Sequence, residues 1–153
     1  MNINEQANFI WSIADLLRGD FKQSEYGKVI LPFTVLRRFD CVLAPSKAKI
    51  LEANKMLTVS NKRPIFKRMT GHDYYNISQF DFEKLMDDSN AIEANLRDYI
   101  NGISEDVREI MDNFEIFGVI DKLSRANLLY LVVQRFAEID MSDTQIDNLE
   151  MGY

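Results

Sequence analysis

LRGDFKQSEYGKVILPFTVLRRFDCVL, Leu17 to Leu43, is the stretch whose reading decides the fold. At about 100° per residue, Val29, Ile30, Leu31, Phe33, Val35, Leu36, Phe39, Val42 and Leu43 cover well over half of a helical wheel. A helix apolar over so wide an arc is expected to be enclosed by others. Gly27, Thr34 and Cys41 lie seven apart on the remaining face, flanked by Arg37 and Arg38. They predict a narrow, basic-edged seam where a neighbouring backbone comes close. Pro32 interrupts the stretch and costs about 3 kcal/mol by removing a hydrogen bond to the Lys28 carbonyl. Because Leu31, Val35, Phe39 and Val42 keep their phase across it, the preferred reading is one continuous, kinked helix. The alternative, a helix starting at Pro32, lacks a capping side chain at Leu31.

Working outward, the chain has 153 residues, 46% of them hydrophobic and 27% charged, the composition of one globular domain able to bury a core. A single cysteine, Cys41, excludes a disulfide framework and a CxxC site and is compatible with a reducing cytoplasm. MNINEQANFIWSIADLL lacks the basic start and unbroken apolar run of a signal peptide, and no stretch has the length of a membrane span. The expected location is therefore the cytoplasm, without a membrane partner. The net charge of -6 hides a division: residues 1 to 79 hold 12 Lys and Arg against 7 Asp and Glu, residues 80 to 153 hold 6 against 17. Such polarity suits a basic side near nucleic acid and an acidic side facing solvent or protein.

Asn2 or Asn4 is placed to cap a first helix carrying Phe9, Ile13, Leu16 and Leu17, with Gly19 to end it and Trp11 as a core or interface ring. Ser24 is expected to cap the central helix, giving it bounds of about 24 to 44, because Pro45 disfavours helical geometry at Ala44. Ser46 then caps a short polar helix, KAKILEANKML. Residues 58 to 79 read as an irregular loop in which short strand pairing is open. Lys62, Arg63, Lys67 and Arg68 surround Pro64, Ile65 and Phe66 there, followed by His72, Tyr74 and Tyr75. Basic residues interleaved with aromatics bind phosphates and stack on bases; the preferred alternative is solvated charge pinned to the core by Phe66 and Tyr75. Helices follow from Ser78 or Asp81 to Met86, from Asp88 or Ser89 through Ile92, Leu96, Tyr99 and Ile100 to Gly102, and from Ser104 through Val107, Ile110, Met111 and Phe114. Gly118 is read as a break. Asn127 then caps a last helix bearing Leu128, Leu131, Val132, Val133, Phe136 and Ile139, the natural packing partner of the central one.

No constellation of catalytic groups stands out. The six glycines contain no GxG and the three prolines no pair. His72 is alone and without a neighbouring cysteine, Glu83 with Asp87 and Asp88 form an ordinary acidic helix face, and Cys41 next to Asp40 reads as a buried inert thiol. Arg37 and Arg38 either lay their stems on the core and pair with carboxylates such as Asp40, or face DNA or another subunit. The structural role is preferred for Arg37, and both remain open for Arg38.

LLRGDFKQSEYGKVILPFTVLRRFDCVL (16–43) closely resembles the amino-terminal helical domain of the modification subunit of type I restriction-modification systems, as do LSRANLLYLVVQRFAEIDM (123–141) and NLEMGY (148–153). YYNISQFDFEKLMDD and NAIEANLRDYINGIS fit the same family more loosely. The resemblance implies an all-α, compact multi-helix bundle spanning residues 1–153 as one domain of a longer subunit. The methyltransferase domain is expected after residue 153, and the tail's end at Tyr153 without a closing helix agrees. The whole subunit would transfer a methyl group from S-adenosylmethionine to adenine N6 in DNA. The cofactor loop and the Asn/Asp-Pro-Pro-aromatic motif that such enzymes use are missing here, so this stretch alone is expected to be catalytically silent and to bind no cofactor. Implied partners are DNA, a specificity subunit, a second modification subunit and a restriction subunit, with this domain helping the complex to close on DNA. Arg38, Lys62, Arg63, Lys67, Arg68 and Tyr74 are the candidate contacts. A helical protein-binding adaptor that never meets DNA is the competing expectation.

Overall fold

The computed structural model describes residues 3–58 and 62–142. Among them eight α-helices form and no β-strand does: α1 (Ile3–Leu17), α2 (Tyr26–Met56), α3 (Arg63–Thr70), α4 (Phe82–Leu85), α5 (Ile92–Asn101), α6 (Glu105–Asn113), α7 (Ile116–Arg125) and α8 (Leu129–Ala137). The all-α bundle is the one expected. No helix among the described residues is long and apolar enough to cross a membrane. NLEMGY and Asn2 lie outside the described residues.

α2 is one helix of 31 residues, about 46 Å long, and runs through both Pro32 and Pro45. The expected stop at Ala44 and the separate helix after Ser46 are thus corrected. Leu43, Lys47 and Ile50, spaced i, i+4, i+7, are all buried, so packing on both sides of Pro45 holds the helix through the lost hydrogen bond. Ser46 sits inside the helix, its hydroxyl donating to the Leu43 carbonyl at 3.3 Å. Nor does Ser24 cap the start. A single 3-10 turn, Gln23–Glu25, leads in, and the Lys22 amide donates to Glu25 Oε1 at 2.8 Å.

Enclosure of α2 is broad but incomplete: Val29, Phe33 and Leu36 are buried and Ile30, Val35 and Phe39 pack against the core, while Leu31 is 49% exposed. The seam is real at Cys41, where the Met141 backbone approaches; Thr34 is buried, with its hydroxyl donating to the Ile30 carbonyl of the preceding turn. It fails at Gly27, where an added Cβ meets nothing within 4 Å. α8 is the packing partner expected, with Phe136 stacked on Phe33 at 5.7 Å and Phe9 of α1 edge-on to it at 4.9 Å.

Other expectations shift locally. Gly19 turns the chain after α1 with φ of 97°, as expected, but Asn4 lies within α1 and Trp11 is 64% exposed, outside the core. The expected loop at 58–79 contains α3, opened by Pro64 in its first turn and closed by Gly71 at φ 73°. Residues beyond it pair with the end of α5 through a single bridge, Asn76 with Ile103, supported by Ile77 N–H donating to Gly102 O at 2.8 Å. Gly102 is obligatory there because a Cβ would lie 2.6 Å from the Ser78 nitrogen. α4 starts on Asp81, whose side chain accepts the Lys84 amide, and α5 buries Ile92, Leu96, Tyr99 and Ile100 as read. In α6 Val107 and Met111 are buried but Ile110 is 41% exposed. Gly118 lies inside α7, which buries Ile116, Ile120 and Leu123. Asn127 adopts a left-handed conformation (φ 59°) after α7 and does not cap α8, whose N-cap is Leu128. Leu131 is 40% exposed, on the solvent side of α8.

Phe33 is fully buried between α2 and α8, so Phe33→Ala is predicted to lose about 3 to 5 kcal/mol of unfolding free energy in urea titration. A loss under about 1 kcal/mol contradicts the placement of α2 at the centre.

Candidate nucleic-acid interface

Between Lys47 and Arg68 the chain carries seven Lys or Arg and one acid, Glu52. The structure folds this run into a helical hairpin, the second half of α2 packed against α3. Phe66 is the hinge pin: it is buried and meets Tyr75 at 5.0 Å between ring centres, which turns the polar side of α3 outward. Lys49, Lys55 and Arg68 are exposed, and Lys67 is half-buried one turn from Arg63. Arg63 pairs with Glu105 of α6 at 2.6 Å. Lys62 donates to the Asn54 carbonyl at 2.9 Å and to its side chain at 3.3 Å, covering carbonyl groups near the end of α2. Tyr74 is half-buried, edge-on to Phe39 at 4.3 Å and stacked with His72 at 5.1 Å.

Five of the six candidate residues are therefore brought to one region, with Lys62 and Arg63 engaged by protein partners and Lys67 and Arg68 at the surface. Arg38 does not join them. It is 5% exposed and donates to the Met141 carbonyl, so its placement on a nucleic-acid surface is corrected to a position inside the domain. Arg37 pairs with Asp40 at 2.9 Å, as read, and also donates to the carbonyls of Ile139 and Ala137.

Behind the hairpin lies a buried polar network. Asp40 accepts from Arg37, from the Tyr99 hydroxyl at 3.0 Å and from the Phe82 amide at 3.4 Å. Burial raises its carboxyl above the usual value, with Arg37 pulling the other way, and burial next to Asp40 drives the Tyr99 hydroxyl well up. Lys47 donates to the Phe80 carbonyl at 2.8 Å and to Asn76 Oδ1 at 3.2 Å. Burial brings its ammonium down to about 8. Lys47 escapes a reading by residue type, although its position between Leu43 and Ile50 on one stripe marks it as inward-facing.

A cleft of about 710 Å³ opens beside this network, lined by Arg37, Asp40, Cys41, Asp81, Glu83 and Asp140 among others. Most of its named groups have structural partners: Asp81 caps α4, Asp140 takes the Ser142 amide and hydroxyl, and burial raises the Cys41 thiol, which serves as an acceptor for the Met141 amide. No group of three or more His, Cys, Asp or Glu that could hold a metal ion occurs among the described residues.

Because the fold holds Lys47 at about 8 against 10.5 when unfolded, the folded state binds fewer protons between those values, and this group makes stability rise with pH there. Tyr99 acts oppositely above its ordinary value near 10. Unfolding free energy measured from pH 8 to 10 is predicted to rise in the wild type by roughly 2 kcal/mol relative to Lys47→Met. Parallel curves contradict the buried-ammonium assignment.

A family model described as the HsdM N-terminal domain matches residues 6–136, from within α1 to the last turn of α8. No curated protein and no solved structure gives a significant match.

Proposed function

The chain belongs to the HsdM N-terminal domain family, the amino-terminal part of the modification subunit of type I restriction-modification systems, and from that premise we propose that its basic hairpin is a DNA-facing surface. The observation that carries this is the exposure of Lys49, Lys55 and Arg68 along a hairpin that holds one acid, Glu52, between Lys47 and Arg68; Lys47 itself is buried and Lys62 and Arg63 have protein partners. Exposed cations on a rigid helical frame neutralise phosphates without reading bases, which suits a domain that closes on DNA while another subunit selects the sequence. The acidic second half of the chain reaches this face through Glu105, which pairs with Arg63, and its excess of carboxylates opposes indiscriminate coating of DNA.

In this reading the domain is the first part of a longer cytoplasmic subunit. That subunit methylates adenine N6 with S-adenosylmethionine and works with a specificity subunit, a second modification subunit and a restriction subunit. The family itself implies assembly with other subunits of such a system. This domain supplies neither the cofactor loop nor the adenine-binding motif, so methyl transfer belongs to the rest of the subunit.

A second reading, a protein-binding adaptor, draws on α1. Ile3 is 76% exposed, Ile10 48% and Trp11 64%, an apolar strip of the kind that partners cover. Salt dependence separates the two. Binding of duplex DNA is predicted to weaken steeply with salt. Lys55→Ala, Lys67→Ala and Arg68→Ala together are predicted to lower the slope of log affinity against log salt by about 0.9 for every phosphate left unneutralised, with the unfolding midpoint unchanged. Indifference to DNA at low salt, with retained binding of a specificity subunit, favours the adaptor.

A further inference from the structure

After α8 ends at Ala137, the chain crosses the middle of α2 and is held there through its backbone. Arg37 Nη2 donates to Ala137 O at 3.1 Å and its Nε to Ile139 O at 2.8 Å. One residue on, Arg38 donates to Met141 O. One turn further, Cys41 Sγ accepts the Met141 amide at 3.4 Å. The carbonyls taken are those of alternate residues, so the grip follows the course of the main chain. Of the crossing segment, Met141 alone drives its side chain fully inward, at 1% exposed, while Asp140 and Ser142 face solvent and bond to each other.

We propose that Arg37, Arg38 and Cys41 form a latch that fixes the direction in which the chain leaves this domain. The described chain is thereby held in register with α2 as far as Ser142. Since α2 runs unbroken from Cys41 to Lys55, about 20 Å, the latch also sets that exit relative to the basic hairpin. Directional bonds to backbone do this better than burial alone, because they oppose sliding and rotation of the segment as well as its departure. Arg38 is seated almost without exposure, so its guanidinium serves the interior of the domain. The latch stands independently of DNA binding; only what it transmits rests on the proposed function.

The test uses the intact 153-residue chain and no DNA, so it fails or succeeds separately from the DNA reading. Amide hydrogen exchange in the wild type is expected to show Met141 slowed at least about tenfold relative to an unprotected amide. Arg38→Met, which keeps the stem volume, is expected to abolish that slowing while amides of α5 are unchanged. It is also expected to broaden the distance distribution between paramagnetic labels carried by non-natural residues at positions 68 and 142. Cys41→Ala should speed exchange at Met141 alone. An unprotected Met141 amide in the wild type overturns the latch without recourse to any variant, and so does a folded Arg38→Met whose exchange and distance distribution match the wild type.

Discussion

The structure depends on α2 remaining helical through Pro45. Ending it at Ala44 would separate two halves that do different work: the first buries Val29, Phe33 and Leu36 in the core, and the second carries Lys49 and Lys55 out to meet α3. Leu43 and Ile50 on either side of the proline, both buried, supply packing that offsets the lost hydrogen bond, whose cost is about 3 kcal/mol. Lys47 lies between them and adds directional bonds to Phe80 and Asn76, so the helix is pinned where it is intrinsically weakest. The basic hairpin is thus an extension of the core, not a loop attached to it.

The same region explains why a helical bundle retains so much buried polarity. Asp40, Tyr99, Lys47 and Asn76 satisfy one another and the backbone of the segment before α4, which has no regular structure of its own to absorb its amides and carbonyls. An apolar replacement of the whole set could be as stable, but it would leave residues 76 to 82 without a defined seat. Polarity here specifies position. Arg37 belongs to both this network and the segment after α8, joining Asp40 to the carbonyls of Ala137 and Ile139.

Much of this is legible in the sequence and the remainder has physical causes. The buried positions of α5 and the pairing of α2 with α8 follow from apolar spacing, and Asp81 and Gly19 act as the local rules require. The stop at Ala44 fails because a local proline preference loses to tertiary packing at Leu43 and Ile50. α3 is open to reading from Pro64 and Gly71, a start and a stop separated by two turns, but its surroundings are polar enough to mask them. α7 escapes when Gly118 is weighed above the spacing of Ile116, Ile120 and Leu123. Of the candidate residues on α3, Arg68 is exposed and Lys67 half-buried. The fate of Arg38 depends on the backbone of a segment 103 residues away, which no local pattern encodes.

The core and the basic hairpin share one uninterrupted helix, and backbone ¹³C chemical shifts from Leu43 to Ile50 in the intact chain test this most directly. Helical shifts are predicted at Ala44, Pro45 and Ser46, continuous with both flanks. Extended values at Ala44 together with a separate helix beginning near Ser46 would contradict it.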